Sequence, residues 1–145
     1  MSDVLTLSQI RMPGTARSKD DAIREAGEML VDAGAVTPSY IDSMFERERS
    51  VSTYMGNYLA IPHGTNESKE SIKRSALSVI RYPEPIDWDG NEVRFALGIA
   101  GYQGGHMDIL SRVAIVFSDT DEVDKLLAAG SAQEIYDLLN AVNEE

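Results

Sequence analysis

Two stretches of the chain, residues 76–82 and 93–100, are rich in valine, isoleucine, leucine and phenylalanine and have the length of a strand. Between them lies Pro83-Glu84-Pro85-Ile86-Asp87-Trp88-Asp89-Gly90, a segment with turn chemistry. The expected arrangement is an antiparallel pair joined by a loop over 83–90. Tyr82 and Trp88, beside the prolines, are expected to pack within that loop rather than stack on a ligand. Everything around this pair must cover it.

The flanking sequence reads largely as helix. Ser18 is an N-cap with Asp21 three residues on, and Ala22, Ile23, Ala26, Met29, Leu30 and Ala33 follow at helical spacing until Gly34 ends the run. Thr37-Pro38 reads as N-cap and first helical position of a second helix running to about Glu48, with Tyr40, Ile41, Met44 and Phe45 inward. Arg47 and Arg49 fall at its C-terminal end, where the helix dipole favours cations. Residues 50–65 are irregular, with a short strand expected over 58–61. Gly104-Gly105 opens a third helix, with His106 in its first turn and an apolar face of Ile109, Leu110, Val113, Ala114, Val116 and Phe117. Val123, Leu126 and Leu127 mark a fourth. The capping box Ser131-Ala132-Gln133-Glu134 starts a fifth, which carries Ile135, Leu138, Leu139 and Val142. Val4, Leu5 and Leu7 suggest a short edge strand. Interspersed helices and strands define the class as α/β: a single domain over residues 1–145, with a mixed central sheet flanked by helices on both faces.

Composition narrows the chemistry. The 145 residues include no cysteine, so disulfides, thiolate metal sites and cysteine nucleophiles are excluded. Thirteen Lys and Arg stand against 24 Asp and Glu, a net charge of −11. Nucleic-acid binding requires a basic footprint, so no nucleic-acid partner is expected. No stretch approaches the roughly 18 apolar residues that span a bilayer, and no leader-like segment opens the chain. The expectation is a cytoplasmic protein without membrane insertion.

The two histidines both lie in glycine-flanked segments rather than within apolar periodic runs. In Ile61-Pro62-His63-Gly64-Thr65, a neutral imidazole is a competent nucleophile near pH 7 and can carry a phosphoryl group as a covalent intermediate. Pro62 stiffens the approach, Gly64 lets main chain come close to phosphate oxygens, and Thr65 offers a hydroxyl. Thr65 or Asn66 could cap a following helix and favour an anion there. Phosphoryl transfer depends on positioning and charge stabilisation. His106, at a helix N-terminus, is disfavoured as a cation and suited to donate an N–H, while Arg47 or Arg49 could clamp phosphoryl oxygens. Other site chemistries fit less well. No nucleotide P-loop motif is present. A zinc site from His63, His106 and Asp108 lacks helix-face ligand spacing. Ser111 and Ser118 lack a nucleophile elbow. Neither a metal nor a cofactor is expected.

The run Phe45-Glu46-Arg47-Glu48-Arg49, then Thr53-Tyr54-Met55-Gly56-Asn57, then Leu59-Ala60-Ile61-Pro62-His63-Gly64-Thr65 resembles the mannitol/fructose-type enzyme IIA family of the phosphoenolpyruvate-dependent sugar phosphotransferase system. Gly98-Ile99-Ala100 and His106-Met107-Asp108-Ile109-Leu110 resemble that family's second histidine region. The resemblance implies phosphorylation of His63, at Nε2, by the phosphocarrier HPr. It implies onward transfer to a cysteine of a separate enzyme IIB, which serves the membrane component IIC. It implies that His106 is the second histidine and Arg47 the phosphate-contacting arginine, with Arg49 the alternative. Gly64, Thr65 and Asn57 are the remaining expected phosphate contacts; Asn57 stands where some members have glutamate. Two other functions share these features: a nitrogen-type regulatory IIA that signals through its phosphorylation state, and a binding module that has kept only the fold. The chain itself is expected to act as a stand-alone subunit.

Overall fold

A computed structural model of the chain describes residues 4–65, 70–102 and 106–140. Asn66, Gly104, Gly105 and Val142 lie outside them. Among the described residues, five strands form one mixed sheet in the order β1-β4-β5-β3-β2: β1 Ile10–Arg11, β2 Tyr54–Gly56, β3 Leu59–Ala60, β4 Ala76–Trp88 and β5 Asn91–Ala100. The pairs β1·β4 and β3·β5 are parallel, whereas β4·β5 and β2·β3 are antiparallel. The helices are α1 Lys19–Asp32, α2 Ser39–Ser50, α3 His106–Phe117, α4 Thr120–Ala128 and α5 Ala132–Leu139.

Alternation along β4 and β5 divides the interior in two. Leu77, Val79, Phe95, Leu97 and Ile99 pack with Ile109, Val113 and Phe117 of α3, Val123 and Leu126 of α4, and Ile135 and Leu139 of α5. Ala76, Ile80, Ala96 and Ala100 turn to the opposite face and meet Ile23, Ala26 and Leu30 of α1 and Tyr40 and Met44 of α2. Each large side chain so buried contributes roughly 1.5–3 kcal/mol. A one-residue slip would exchange the two faces, so the register is strongly specified. Under α1 the sheet is lined with small residues, which lets the helix come close. A Cβ added at Gly98 would lie 2.6 Å from Ser78 Oγ and 3.2 Å from the Ala26 carbonyl oxygen.

The expected helices are all present. Ser18 Oγ accepts from the Asp21 amide, and Gly34 ends α1 at φ +76°. Ser131 Oγ accepts from the Glu134 amide, but the Glu134 carboxylate reaches back to the Gly130 amide, one residue earlier than a standard capping box would have it.

Three expectations about strands need correction. The segment 83–90 is not a loop: β4 runs on to Trp88, and the turn is only Asp89-Gly90, both at positive φ, as a two-residue hairpin turn requires. Pro83 and Pro85 are tolerated because they lie where the β4·β5 register shifts, between Arg81 and Ile86, and owe no ladder hydrogen bond there. Ile86 and Trp88 are accordingly buried rather than parts of a loop. The edge strand is Ile10–Arg11, not residues 4–7. Leu7–Gln9 form a 3-10 turn, and the Gln9 side-chain amide donates to the carbonyls of Val4 and Leu77, tying this segment to the sheet through a side chain. The strand expected over 58–61 is Leu59–Ala60, and it pairs with an unanticipated β2 through a turn at Asn57-Tyr58, both at positive φ.

Candidate functional site

Beyond β3 the chain carries Pro62, His63 and Gly64 alongside β5. The Ile99 amide donates to the Pro62 carbonyl at 3.1 Å, and His63 bridges Ile99 in the parallel sense. This places half-buried His63 at the wall of a cleft of about 670 Å³. Arg47 and Ser50 of α2 line the cleft with Ser52, Thr53 and Met55. Met107, Leu110, Ser111 and Ala114 supply one face of α3, and Ile61, Gly64 and Thr65 complete the wall.

The imidazole is oriented by its own backbone. His63 Nδ1 lies 2.8 Å from the Ile61 carbonyl oxygen. A carbonyl can only accept, so Nδ1 carries the proton and Nε2 keeps the lone pair. That is the tautomer a nucleophilic Nε2 requires. Arg47 is the only lysine or arginine among the described lining residues. Its Nη1 donates to the Val51 carbonyl at 2.8 Å, which holds the guanidinium at the rim of the cleft. An imidazole nucleophile facing an arginine, with hydroxyls and no carboxylate along the described wall, is suited to receive an anionic phosphoryl group.

The structure brings His63, Arg47, Gly64 and Thr65 together, and leaves other expected contacts elsewhere. Arg49 is exposed and does not line the cleft. Asn57 is also outside it: its side-chain amide donates to the Phe117 carbonyl at 2.7 Å and closes the end of α3. The Gly64 amide is already engaged, donating to Tyr40 Oη at 2.8 Å. His106 is the first residue of α3, the helix whose next turns line the cleft; its side chain lies outside the described residues. Among the described residues, no group of three or more His, Asp or Glu is placed to hold a metal ion.

This separates the two arginines experimentally. Arg47→Gln is expected to slow phosphoryl transfer about 10²–10³-fold, the usual cost of one donor to a transition-state oxyanion. Arg49→Gln is expected to change it by no more than about twofold, as for a solvent-exposed charge. Transfer rates of the two purified variants check the assignment, and the reverse ranking would undo it.

Two buried polar residues of α2 went unrecognised from sequence as parts of the site. Tyr40, 2% exposed, accepts from the Gly64 amide and donates to the Ile99 carbonyl at 2.7 Å. Burial pushes its phenol up to about 12, with the Gly64 amide pulling the other way, so it is a neutral donor at any physiological pH. Glu48, 6% exposed, accepts from the Thr53 amide, the Thr53 hydroxyl and Trp88 Nε1. The spacing 40, 44, 48 was the available signal, since it puts all three residues on the buried stripe of one helix.

Residues 3–142 match the family model of the phosphoenolpyruvate-dependent sugar phosphotransferase system, EIIA 2, and the chain belongs to that family. It is an enzyme IIA phosphotransferase component. It is 52% identical over 141 residues to the mannitol-specific phosphotransferase enzyme IIA component of Halalkalibacterium halodurans, covering 97% of each chain. It is 45% identical over 141 residues to the component of the same name from Geobacillus stearothermophilus, again covering 97% of each. Among solved structures it is similar to IIA mannitol of Escherichia coli, with a TM-score of 0.86 and 31% identity over 93% of this chain and 98% of that one. The complex of enzyme IIA and phosphorylated enzyme IIB for mannitol from the same organism gives a TM-score of 0.87 at 31% identity, covering 93% and 96%. The nitrogen regulatory protein IIA-Ntr of Neisseria meningitidis gives 0.81 at 29% identity, covering 94% and 96%.

Proposed function

We propose that this chain is the IIA component of a mannitol uptake system, with His63 as its phosphoryl carrier. The observation that supports this most directly is the Nδ1–H···O=C bond to Ile61, which leaves Nε2 as the nucleophilic nitrogen in a cleft shared with Arg47. In the forward step the Nε2 lone pair attacks the phosphorus of the phosphohistidine on HPr. The N–P bond of the donor breaks as the N–P bond to His63 forms, and the donor imidazole leaves with the electron pair. Nδ1 keeps its proton throughout. In the second step a cysteine thiolate of enzyme IIB attacks the same phosphorus, and His63 returns to its starting tautomer. Arg47 neutralises charge on the phosphoryl oxygens, Thr65 adds a hydroxyl, and His106 assists from the start of α3.

The relatives at 45–52% identity that carry the mannitol-specific name support this sugar over a fructose-type one. They also support a transport role over the nitrogen-regulatory one, for which the likeness is 29%. The IIA–IIB pairing in the similar complex supports IIB as acceptor. HPr as donor and IIC as the membrane component follow from the phosphotransferase relay. No helix of the described residues is long and apolar enough to cross a membrane. The proposed relay role would be carried out in the cytoplasm, by one domain over residues 1–145.

Incubation with phosphoenolpyruvate, enzyme I and HPr should add one acid-labile, base-stable phosphoryl group by intact mass. Addition of a mannitol IIB should remove it faster than a fructose IIB does. An unchanged mass would refute the carrier role. Phosphorylation without discharge to any sugar IIB would favour the regulatory reading.

A further inference from the structure

Helix α2 turns a stripe of Tyr40, Met44 and Glu48 into the protein interior. Met44 is an ordinary core residue, but the other two bring polar groups to positions where packing alone would favour an apolar side chain. Such departures need an explanation: the Tyr40 head reaches the segment that carries His63 directly, and the Glu48 head reaches it through Thr53.

On the C-terminal side of His63, the Tyr40 hydroxyl bridges the Gly64 amide and the Ile99 carbonyl. Those are the two groups that the next ladder bond of a parallel pair would join. Together with the Ile99 amide on the Pro62 carbonyl, this fixes the backbone on both sides of His63 to a single residue of β5. On the N-terminal side, Glu48 holds Thr53 by its amide and its hydroxyl. The Thr53 carbonyl then accepts from the Ile61 amide at 3.0 Å, and the Ile61 carbonyl accepts from His63 Nδ1. Trp88 Nε1, at 3.2 Å, anchors the same carboxylate to the end of β4. The imidazole's tautomer and aim are thus set by a carbonyl whose own position is set from α2.

We propose that Tyr40 and Glu48 are positioning residues for phosphoryl transfer at His63, forming a two-ended clamp from α2. This rests on the reading of His63 as the phosphoryl carrier. Neither side chain is among those lining the cleft, so each acts through the backbone. Misplacing a reacting group by about 1 Å can cost 10²-fold in rate, so a partial loosening should be visible in kcat.

The test uses the full chain with phosphorylated HPr as donor, and four variants: Tyr40→Phe, Thr53→Val, Glu48→Ala and Glu48→Gln. Tyr40→Phe, Thr53→Val and Glu48→Ala should lower kcat by about 3- to 30-fold with KM for the donor within about twofold. Glu48→Gln, which can still accept from the Thr53 amide and donate to its hydroxyl, should restore kcat to within about threefold of wild type. Ring ¹⁵N spectra of unphosphorylated His63 should show one tautomer, protonated at Nδ1, in wild type and Glu48→Gln, and a mixture in Glu48→Ala and Thr53→Val. Tyr40→Phe, which deletes a hydroxyl, and Thr53→Val, which exchanges one for a methyl group, keep the test open should Glu48→Ala fail to fold. Wild-type kcat in folded Tyr40→Phe removes one end of the clamp. Wild-type kcat and a single tautomer in folded Thr53→Val remove the other. The spectra read the clamp without any phosphate, whereas a wild-type protein that takes no phosphate at His63 defeats the underlying reading instead.

Discussion

His63→Ala should take up no phosphoryl group from phosphorylated HPr, a loss of at least about 10⁴-fold in rate, while remaining folded. The expectation follows from what else lines the cleft. Ser50, Ser52, Thr65 and Ser111 offer hydroxyls, but no carboxylate stands among the described lining residues to activate one of them, and the Thr53 hydroxyl is buried and spent on Glu48 behind the wall. A hydroxyl at neutral pH without such a base cannot replace imidazole as a nucleophile. The cost to the fold is small because His63 is half-buried and its ring makes its backbone bond locally, to Ile61. Losing that bond costs about 1 kcal/mol, or a few degrees in Tm for a chain of this size. Intact mass after incubation with the donor reads the first half of the prediction, and thermal unfolding reads the second. Stoichiometric phosphate on the variant would move the carrier role to another residue. Collapse of the fold would make His63 a structural residue instead.

How much of this was legible in the sequence depends on the range of the interaction involved. Helix starts were readable because their signals are local: Ser18 caps α1 through Asp21, three residues away, and Ser131 caps α5 through Glu134. The β4·β5 pair was readable from β-branched and aromatic density, but its length was not. Proline reads as a strand breaker, and whether Pro83 and Pro85 break β4 depends on the partner register at 81–86, which a single strand does not contain. At the site, His63, Gly64 and Thr65 form one contiguous motif, and Arg47 was placed by resemblance. Asn57 is expected there because it stands where some family members have glutamate, and Arg49 as the alternative to Arg47 at the end of one helix. The β2–β3 turn instead swings Asn57 toward the end of α3, and the helical period carries Arg49 to the solvent side while Arg47 meets the cleft. Tyr40 and Glu48 were the harder cases. Their partners lie 59, 24, 40 and 5 residues away, so burial of the stripe was visible but its purpose was not.

The same logic identifies a carboxylate that serves the fold and not the site. Glu25 of α1 is 5% exposed and accepts from Arg11 Nη1, the Thr15 amide and hydroxyl, the Ala16 amide and the Tyr82 hydroxyl. One side chain thereby joins β1, the segment leading into α1, and β4. Burial pushes the Glu25 carboxyl up, but the Thr15 amide, Arg11, the Thr15 hydroxyl and Tyr82 together hold it below its ordinary value of 4.5. Burial and the adjacent Glu25 push the Tyr82 phenol up, so it remains a donor. Glu25→Ala strands the Tyr82 hydroxyl and two amides, and should cost about 3–5 kcal/mol at pH 7, a large share of the roughly 5–15 kcal/mol that holds a domain together. The pH dependence has a definite sign. The folded-state pKa lies below the unfolded one, so this stability is present above pH 4.5 and is lost as pH falls through the folded value. Glu25→Gln carries no titrating group, so its deficit against wild type should be constant from pH 8 to 5.5 and shrink below 4.5. Denaturant unfolding of wild type, Glu25→Gln and Glu25→Ala across that range measures it. A deficit independent of pH would mean that the ionised form is not what the five donors hold. None of the residues that Glu25 touches lines the His63 cleft, so phosphoryl transfer by the folded fraction of either variant should stay at the wild-type rate.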